Sequence, residues 1–301
     1  MKYAIALDIG GTKVEGVLFN NKFKQLKKKR VYFEKQKSSS AVNLSRQKVL
    51  NIFCDLINEL KIGKKIVGIG ISIPDVITKD GSISGTSKIL SLSNFKLGNY
   101  LKKKYKCKIN VNNDSDCFAY GEAKFGAGKN YQNVIGVILG TGIACGIVIE
   151  HKSYTGTTGS CGEFGHNTLN PLGPKERHGF VGTPESYAGG PDLTRNYFKY
   201  GGKNKNADPK YIYNTTELAA KKARKDALNY FGIGLASLVN ILNPGIIILG
   251  GGQSNLPIYR EINKLTKKYT IDGLRKNVKI VKNKLGDSAG IYGAAALIFE
   301  K

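Results

Sequence analysis

The chain has 301 residues, 41% of them hydrophobic, and a formal net charge of +25 from 47 Lys and Arg against 22 Asp and Glu. That is enough apolar content for one large domain or two ordinary ones. The apolar run after Met1-Lys2 breaks at Asp8 and none elsewhere is long enough for a bilayer, which argues against a signal peptide and a membrane span.

Five scattered cysteines without a CxxC pair read as reduced thiols, so a cytoplasmic protein with no membrane association is expected. The basic residues are mostly Lys, in short clusters such as Lys27-Lys28-Lys29-Arg30 and Lys102-Lys103-Lys104. Base readout and bidentate phosphate clamps favour Arg, so no specific nucleic-acid partner is expected. A basic surface still attracts anionic substrates at long range.

In chain order, residues 3–8 read as a buried strand ending in an acid. Gly10-Gly11-Thr12 is a turn, and residues 14–19 are a second strand closed by Asn20-Asn21. A third strand is expected over 31–34 and a polar loop over 35–43. Residues 45–60 set Val49, Ile52, Phe53, Leu56, Ile57 and Leu60 at helical spacing. Residues 66–73 form the near-continuous apolar run of a central strand, ended by Pro74. A short helix over 99–105, a strand over 109–111 and a helix over 116–125 follow. Residues 134–139 and 143–149 are strands on either side of Gly140-Thr141-Gly142. A long helical region over 216–242 is interrupted near Gly232 and Gly234, and a strand over 246–249 runs into Gly250-Gly251-Gly252. A last strand over 278–281 and a last helix over 289–299 complete the chain.

The two strand–Gly–strand units make a weak internal repeat. Strands alternating with helices predict an α/β class with mixed sheets. The natural division gives a smaller N-terminal lobe, 1–115, and a larger one, 116–287, with a terminal helix over 288–301 packing back on the first.

Several stretches carry chemistry. In Asp8-Ile9-Gly10-Gly11-Thr12-Lys13 the glycines allow a tight turn that brings N–H groups to a phosphate. Thr12 adds a hydroxyl, Lys13 a charge near the anion, and Asp8 can hold Mg²⁺ through water. The same residues also suit an ordinary β-hairpin. Gly140-Thr141-Gly142 offers a second phosphate cradle, and Gly250-Gly251-Gly252 allows flat contact with a ring or sugar; neither P-loop nor Rossmann spacing is present. Asp114, at a strand end beside Asn113, suits a general base acting on a hydroxyl, or a helix cap.

Taken in order, Asp8 to Lys13, Asn113-Asp114, Leu139 to Gly142, Gly162-Glu163-Phe164-Gly165-His166, Ile248 to Gly252 and Leu285 to Gly290 resemble the ROK family of sugar kinases and repressors over nearly the whole chain. The resemblance implies a two-lobed actin/hexokinase-like ATPase fold with ribonuclease H-like halves and an interlobe cleft. It implies ATP-dependent, Mg²⁺-assisted phosphorylation of a hexose or amino-sugar hydroxyl, with glucose as the default, and a homodimer. By position, Asp114 is the catalytic base and Asn113, Glu163, His166 and Glu185 bind the sugar. Asp8, Gly10, Gly11, Thr12 and Lys13, with Gly140, Thr141 and Gly142, serve the phosphates and Mg²⁺, and Gly250, Gly251 and Gly252 sit at the adenosine.

Many ROK proteins hold a zinc ion with the histidine matching His166 and a cysteine stretch before the later sugar-binding Glu. Here that stretch reads Lys175-Glu176-Arg177-His178-Gly179-Phe180-Val181-Gly182-Thr183-Pro184, without a cysteine. No metal is assigned there. The local donors are Cys161, His166 and His178, and a tetrahedral zinc needs four. The loop reads as a substrate site, stiffened by Pro171, Pro174 and Pro184. Residues 85–94 also depart from the family's pattern. The competing functions are a catalytically silent sensor, a kinase using polyphosphate as donor, and a repressor, which would need a helix-turn-helix ahead of Asp8.

Overall fold

The computed structural model describes residues 1–33, 42, 44–61 and 63–300. The loop expected over 35–43 lies outside them except for Val42, as do Glu34 of the expected third strand and Lys301 of the terminal helix. Two compact units form: Met1–Phe125 with Ser153–Cys161 and Asp287–Lys301, and Gly126–Lys152 with Gly162–Gly286.

The first unit is built on a sheet of strands β1 (Tyr3–Ile9), β2 (Lys13–Asn20), β3 (Gln25–Tyr32), β4 (Ile66–Ile73) and β5 (Lys108–Asn113), in the order β3-β2-β1-β4-β5. β1 runs antiparallel to β2 and parallel to β4. Between β3 and β4 lies helix α1 (Arg46–Leu60), capped by the Ser45 hydroxyl, which accepts the Lys48 N–H; it buries Val49, Phe53, Leu56, Ile57 and Leu60. α2 (Leu97–Tyr105) precedes β5, and α3 (Asp114–Phe125) follows it directly.

β3 begins six residues before the strand expected from sequence. Its residues 27–30 are all exposed and basic, so no inward apolar row marks it. Its lysines meet acids instead: Lys28 and Arg30 reach Glu15, and Lys27 and Lys29 reach Glu59. A charged edge strand of this kind discourages edge-to-edge pairing with another chain.

The second sheet uses β6 (Val134–Leu139), β7 (Ile143–Ile149), β8 (Lys152–Tyr154), β9 (Ile246–Gly250) and β10 (Ile280–Lys282), in the order β10-β9-β6-β7-β8. Read from the other edge, this is the strand order of the first sheet. β6 again runs antiparallel to the next strand and parallel to a later one. The fold is α/β with two mixed sheets. Its helices are α4 (Pro184–Ala188), α5 (Gly190–Lys199), α6 (Pro209–Asn214), α7 (Leu218–Leu242), α8 (Tyr259–Tyr269) and α9 (Asp272–Arg275).

α7 runs unbroken through Gly232 and Gly234, contrary to the expected interruption. Close packing explains both glycines: a Cβ at Gly232 would lie 2.8 Å from Leu265 Cβ, and one at Gly234 would lie 3.1 Å from Pro184. The last helix, α10 (Ala289–Phe299), packs on α3, β4 and β1 in the first unit. Its crossing with α3 needs Gly121 and Gly293, where a Cβ would meet the Ala289 and Cys117 carbonyl oxygens at 2.2 and 1.8 Å. Among the described residues, no helix is long and apolar enough to cross a membrane.

Candidate functional site

In the first unit, Asp8 stands near the end of β1, opposite Ser72 of β4. The Ser72 hydroxyl donates to Asp8 Oδ1 at 2.7 Å. Burial pushes the Asp8 carboxyl up to about 6; Asp114 and Glu15 add to that, while the Ser72 bond and Lys13 oppose it. The turn that follows is a tight hairpin, closed by the Gly10 N–H donating to the Lys13 carbonyl.

Asp114 opens α3 straight from the end of β5. The capping role read as an alternative for it falls to Asn113, whose Oδ1 accepts the Ser115 N–H at 2.8 Å and the Ser115 hydroxyl at 2.6 Å. The Asn113 amide donates to the Asp75 carbonyl, so both ends of its side chain have partners within the protein. Burial raises the Asp114 carboxyl above the ordinary range, Lys88 opposes that, and Asp75 adds to it. Asp75 itself anchors the segment after β4, accepting from the Ser87 hydroxyl and the Lys88 N–H. Both carboxyls, Asp8 and Asp114, are thus held above their ordinary range chiefly by burial.

In the second unit, Gly140 and Thr141 line a cavity of about 780 Å³ together with Gly252, the start of α5 at Gly190 and Pro191, and residues 207–210. Lys210 is the one basic side chain among its described lining residues. Gln253 ties its walls, donating to the carbonyls of Gly140 and Ala188 at 2.9 and 3.0 Å. Of the three successive glycines, Gly252 lines the cavity and Gly250 ends β9. Gly251 has φ +82°, and a Cβ there would lie 2.6 Å from the Leu139 carbonyl oxygen. Only glycine fits so flat against the end of β6.

The same unit carries Glu163, His166 and Glu185. Glu163 is exposed and precedes a single 3-10 turn, Phe164–His166. His166 Nε2 lies 3.8 Å from Glu163 Oε2, and Nδ1 lies 2.8 Å from Glu176 Oε1. Glu185, near the start of α4, is buried. Its Oε2 accepts the Ile143 N–H at 2.8 Å, and its Oε1 is 3.4 Å from Arg177 Nε. A Cβ at Gly142 would lie 2.7 Å from Glu185 Oε2, so that glycine makes room for the carboxylate.

A model of the ROK family matches residues 4–301. The chain belongs to the ROK family. It is 30% identical over 307 residues to an N-acetylgalactosamine kinase of Shewanella sp. (strain ANA-3), covering 97% of this chain and 95% of that protein. It is 25% identical over 304 residues to the xylose repressor of Bacillus subtilis, covering 99% of this chain and 77% of the repressor. The crystal structure of the ROK hexokinase from Thermus thermophilus matches with a TM-score of 0.86 at 26% identity, over 97% of this chain and 96% of that one.

The zinc site implied by the ROK resemblance does not fit the residues present. Cys161 belongs to the first unit, where its thiol donates to the Tyr154 carbonyl. His178 Nε2 accepts from Arg177, and its ring lies edge-on to His166 at 5.4 Å. Among the described residues, the donors that converge are His166, Glu176 and Glu185, within 4.8 Å of one another. The loop is stiffened by more than its prolines. Asn170 donates to the hydroxyls of the stacked Tyr187 and Tyr230, the Leu169 and Asn170 N–H groups share the Gly182 carbonyl, and Lys175 pairs with Val181. His151, the third histidine of the chain, is an exposed turn residue.

Ser72, Asp75, Lys88, Glu176, Arg177 and Gln253 escaped the sequence reading. A row of single polar residues at strand ends gives little signal. Glu176 and Arg177 were quoted only as replacements for cysteines.

Proposed function

We propose that this protein is an ATP-dependent kinase of a hexose or amino-sugar hydroxyl, with glucose as the first substrate to test and Asp114 as general base. The observation that carries this is the state of Asp114. It is half-buried at the start of α3, its carboxyl is raised above the normal range, and Asn113 has taken over the helix cap. A base with a raised pKa accepts a hydroxyl proton more readily near neutral pH.

Phosphoryl transfer asks mainly for positioning and charge neutralisation. The turn from Gly10 to Lys13 and the Gly140-Thr141-Gly142 turn are assigned to the phosphates, and Gly252 with its cavity to the adenosine. Mg²⁺, when bound at Asp8, neutralises phosphate charge. Asp114 takes the proton from the sugar hydroxyl. Glu163 and His166 hydrogen-bond sugar hydroxyls, which both donate and accept. Glu185 contributes Oε1, since Oε2 is engaged by the Ile143 N–H. The sparse charge around the cavity near Gly252 supports a nucleotide over inorganic polyphosphate as donor, because a polyanion asks for several cations along its path.

The test is a coupled phosphorylation assay across hexoses and N-acetylated hexosamines, with Mg-ATP and separately with polyphosphate. Turnover with ATP on one sugar supports the proposal and names the substrate. Sugar binding by calorimetry with silence across the whole panel sinks it in favour of a sensor.

A further inference from the structure

Three buried carboxylates gather around the loop that carries His166: Glu176, Glu185 and Asp192. Each has a different partner. Arg195 pairs with Asp192. Arg177 lies beside Glu185, whose other oxygen takes the Ile143 N–H. Glu176 meets the His166 ring, Oε1 to Nδ1 at 2.8 Å, with its side chain fully buried. A carboxylate is a strong acceptor and an imidazole N–H a matching donor, so this distance is that of a charge-assisted hydrogen bond.

We propose that Glu176 is a positioning residue for His166: it accepts the Nδ1–H, fixes that tautomer and ring orientation, and leaves the Nε2 lone pair directed to the Glu163 side as an acceptor for a substrate hydroxyl. The consequence for substrate rests on the kinase reading above; the tautomer itself does not.

Three features support the assignment. First, the turn that carries Glu176 is closed for this purpose: the Glu176 N–H donates to the Phe180 carbonyl, the Gly179 N–H donates back to the Glu176 carbonyl, and Phe180 packs on the His166 ring at 5.6 Å. The ring is therefore gripped by one side chain at Nδ1 and another on its face. Second, Glu176 Oε2 is buried with no hydrogen-bond partner. A half-satisfied buried carboxylate costs stability, so a fold selected for stability alone gains nothing from it. Third, hydrogen bonding at one ring nitrogen is what decides the role of the other. A histidine whose back nitrogen is held by an acid presents a defined front nitrogen, and the same logic orients the histidines of metal sites and of nucleophilic triads. Here His166, Glu176 and Glu185 converge within 4.8 Å of one another; Glu185 Oε2 takes the Ile143 N–H and its Oε1 lies 3.4 Å from Arg177 Nε, which leaves Glu176 as the acid that meets the ring nitrogen.

The experiment uses the full chain at fixed neutral pH. The sequence has only three histidines, so the ring nitrogens of His166, His178 and His151 separate in a long-range ¹H–¹⁵N spectrum, with exposed His151 as an internal control. The wild type should show His166 as a single Nδ1–H tautomer, with sub-stoichiometric zinc, cobalt or manganese by elemental analysis and, on the kinase reading, full activity once Mg²⁺ alone is restored after dialysis against a chelator. In Glu176→Gln and Glu176→Ala, the His166 signals should move toward a mixture of tautomers, while His151 stays unchanged. On the kinase reading, KM for the sugar should rise roughly 10-fold with kcat changed far less. The melting temperature of Glu176→Gln should not fall, since Gln removes a buried charge of unsatisfied geometry.

An Nε2–H tautomer in the wild type overturns the proposal, as does an unchanged His166 spectrum in both variants. One equivalent of tightly bound zinc, cobalt or manganese whose removal abolishes turnover in the presence of Mg²⁺ also overturns it. If the spectra behave as expected while the sugar panel is silent, the kinase reading fails and the positioning role of Glu176 stands. If a sugar turns over and the spectra do not respond, the reverse holds.

Discussion

In the first unit the turn after the central strand is led by an acid, Asp8, braced by the Ser72 hydroxyl and pushed toward neutrality by burial. In the second unit the same position in the same strand order holds Gly140-Thr141-Gly142, with no acid of its own. There the carboxylate comes from a distant helix: Glu185 Oε2 takes the Ile143 N–H at the start of β7. One topology thus carries two different turns. The first keeps a costly carboxylate in place, the group we propose for Mg²⁺. The second spends its carboxylate on its own backbone and leaves Gly140 and Thr141 lining the cavity that we propose for the nucleotide.

Substitutions in each unit break this contrast in different ways. The largest effect is expected at Asp114. Asp114→Asn should lower kcat by roughly 10²–10⁴ while the sugar dissociation constant stays within a few-fold, measured by turnover and calorimetry. A near-normal kcat would remove Asp114 as the base.

Asp8 gives the next. Its folded-state value of about 6 lies above the ordinary carboxyl value of 3.8, so the native fold holds that proton more tightly than the unfolded chain. Its contribution to stability is complete below about pH 4 and is lost as pH rises through about 6. Asp8→Asn should therefore exceed the parent in stability at pH 7.5 in Mg²⁺-free buffer, by on the order of 2–3 kcal/mol, and match it at pH 4. Denaturant melts at the two pH values check this, and a variant less stable at pH 7.5 would contradict it.

Glu163→Gln should raise the sugar KM about 10-fold, the loss expected for a hydrogen bond to a charged acceptor, and leave the ATP KM alone. If the sugar KM does not move, Glu163 is only a surface acid. The smallest effect is expected at Gly251→Ala. It should cost about 1 kcal/mol or more, from a positive φ and a clash with the Leu139 carbonyl, and it should weaken nucleotide binding before sugar binding.

Much of this was legible because the signals are local. Continuous apolar runs gave β4, β6 and β7 to the residue, and the two strand–Gly–strand units anticipated the repeated sheet order. β3 was misplaced because an edge strand that faces water with lysines has no buried row to mark it. α7 was expected to break at Gly232 and Gly234, since a helix reads glycine as weakness, while neighbouring side chains read it as space. Helices α4 to α6, α8 and α9 went unread: α4, α6 and α9 span six residues or fewer, whereas α5 and α8 do carry an amphipathic pattern, set in stretches rich in Lys, Asn and Thr.

The candidate site divides the same way. Asp8, Asn113, Asp114 and the three glycine turns stand at strand ends, where a residue's place in a pattern announces it. Glu176 follows no pattern. It is one acid in a polar loop, and the backbone bonds that close its turn, with the pairing of Lys175 and Val181, set it against His166. The cap at Asn113 rather than Asp114 follows from where α3 begins: its first residue is Asp114, so Asn113 stands at the cap position and accepts the Ser115 N–H.

By itself, then, the sequence determined the α/β class, the membership in the ROK family and the positions where backbone must turn or approach closely, because these depend on periodicity, on glycine and on residues near in the chain. The tertiary structure alone decided which carboxylates are buried, which of them face a histidine, an arginine or a backbone N–H, and which glycines serve neighbours instead of ligands. Those outcomes depend on contacts between residues far apart in the chain, and desolvation has no local signature.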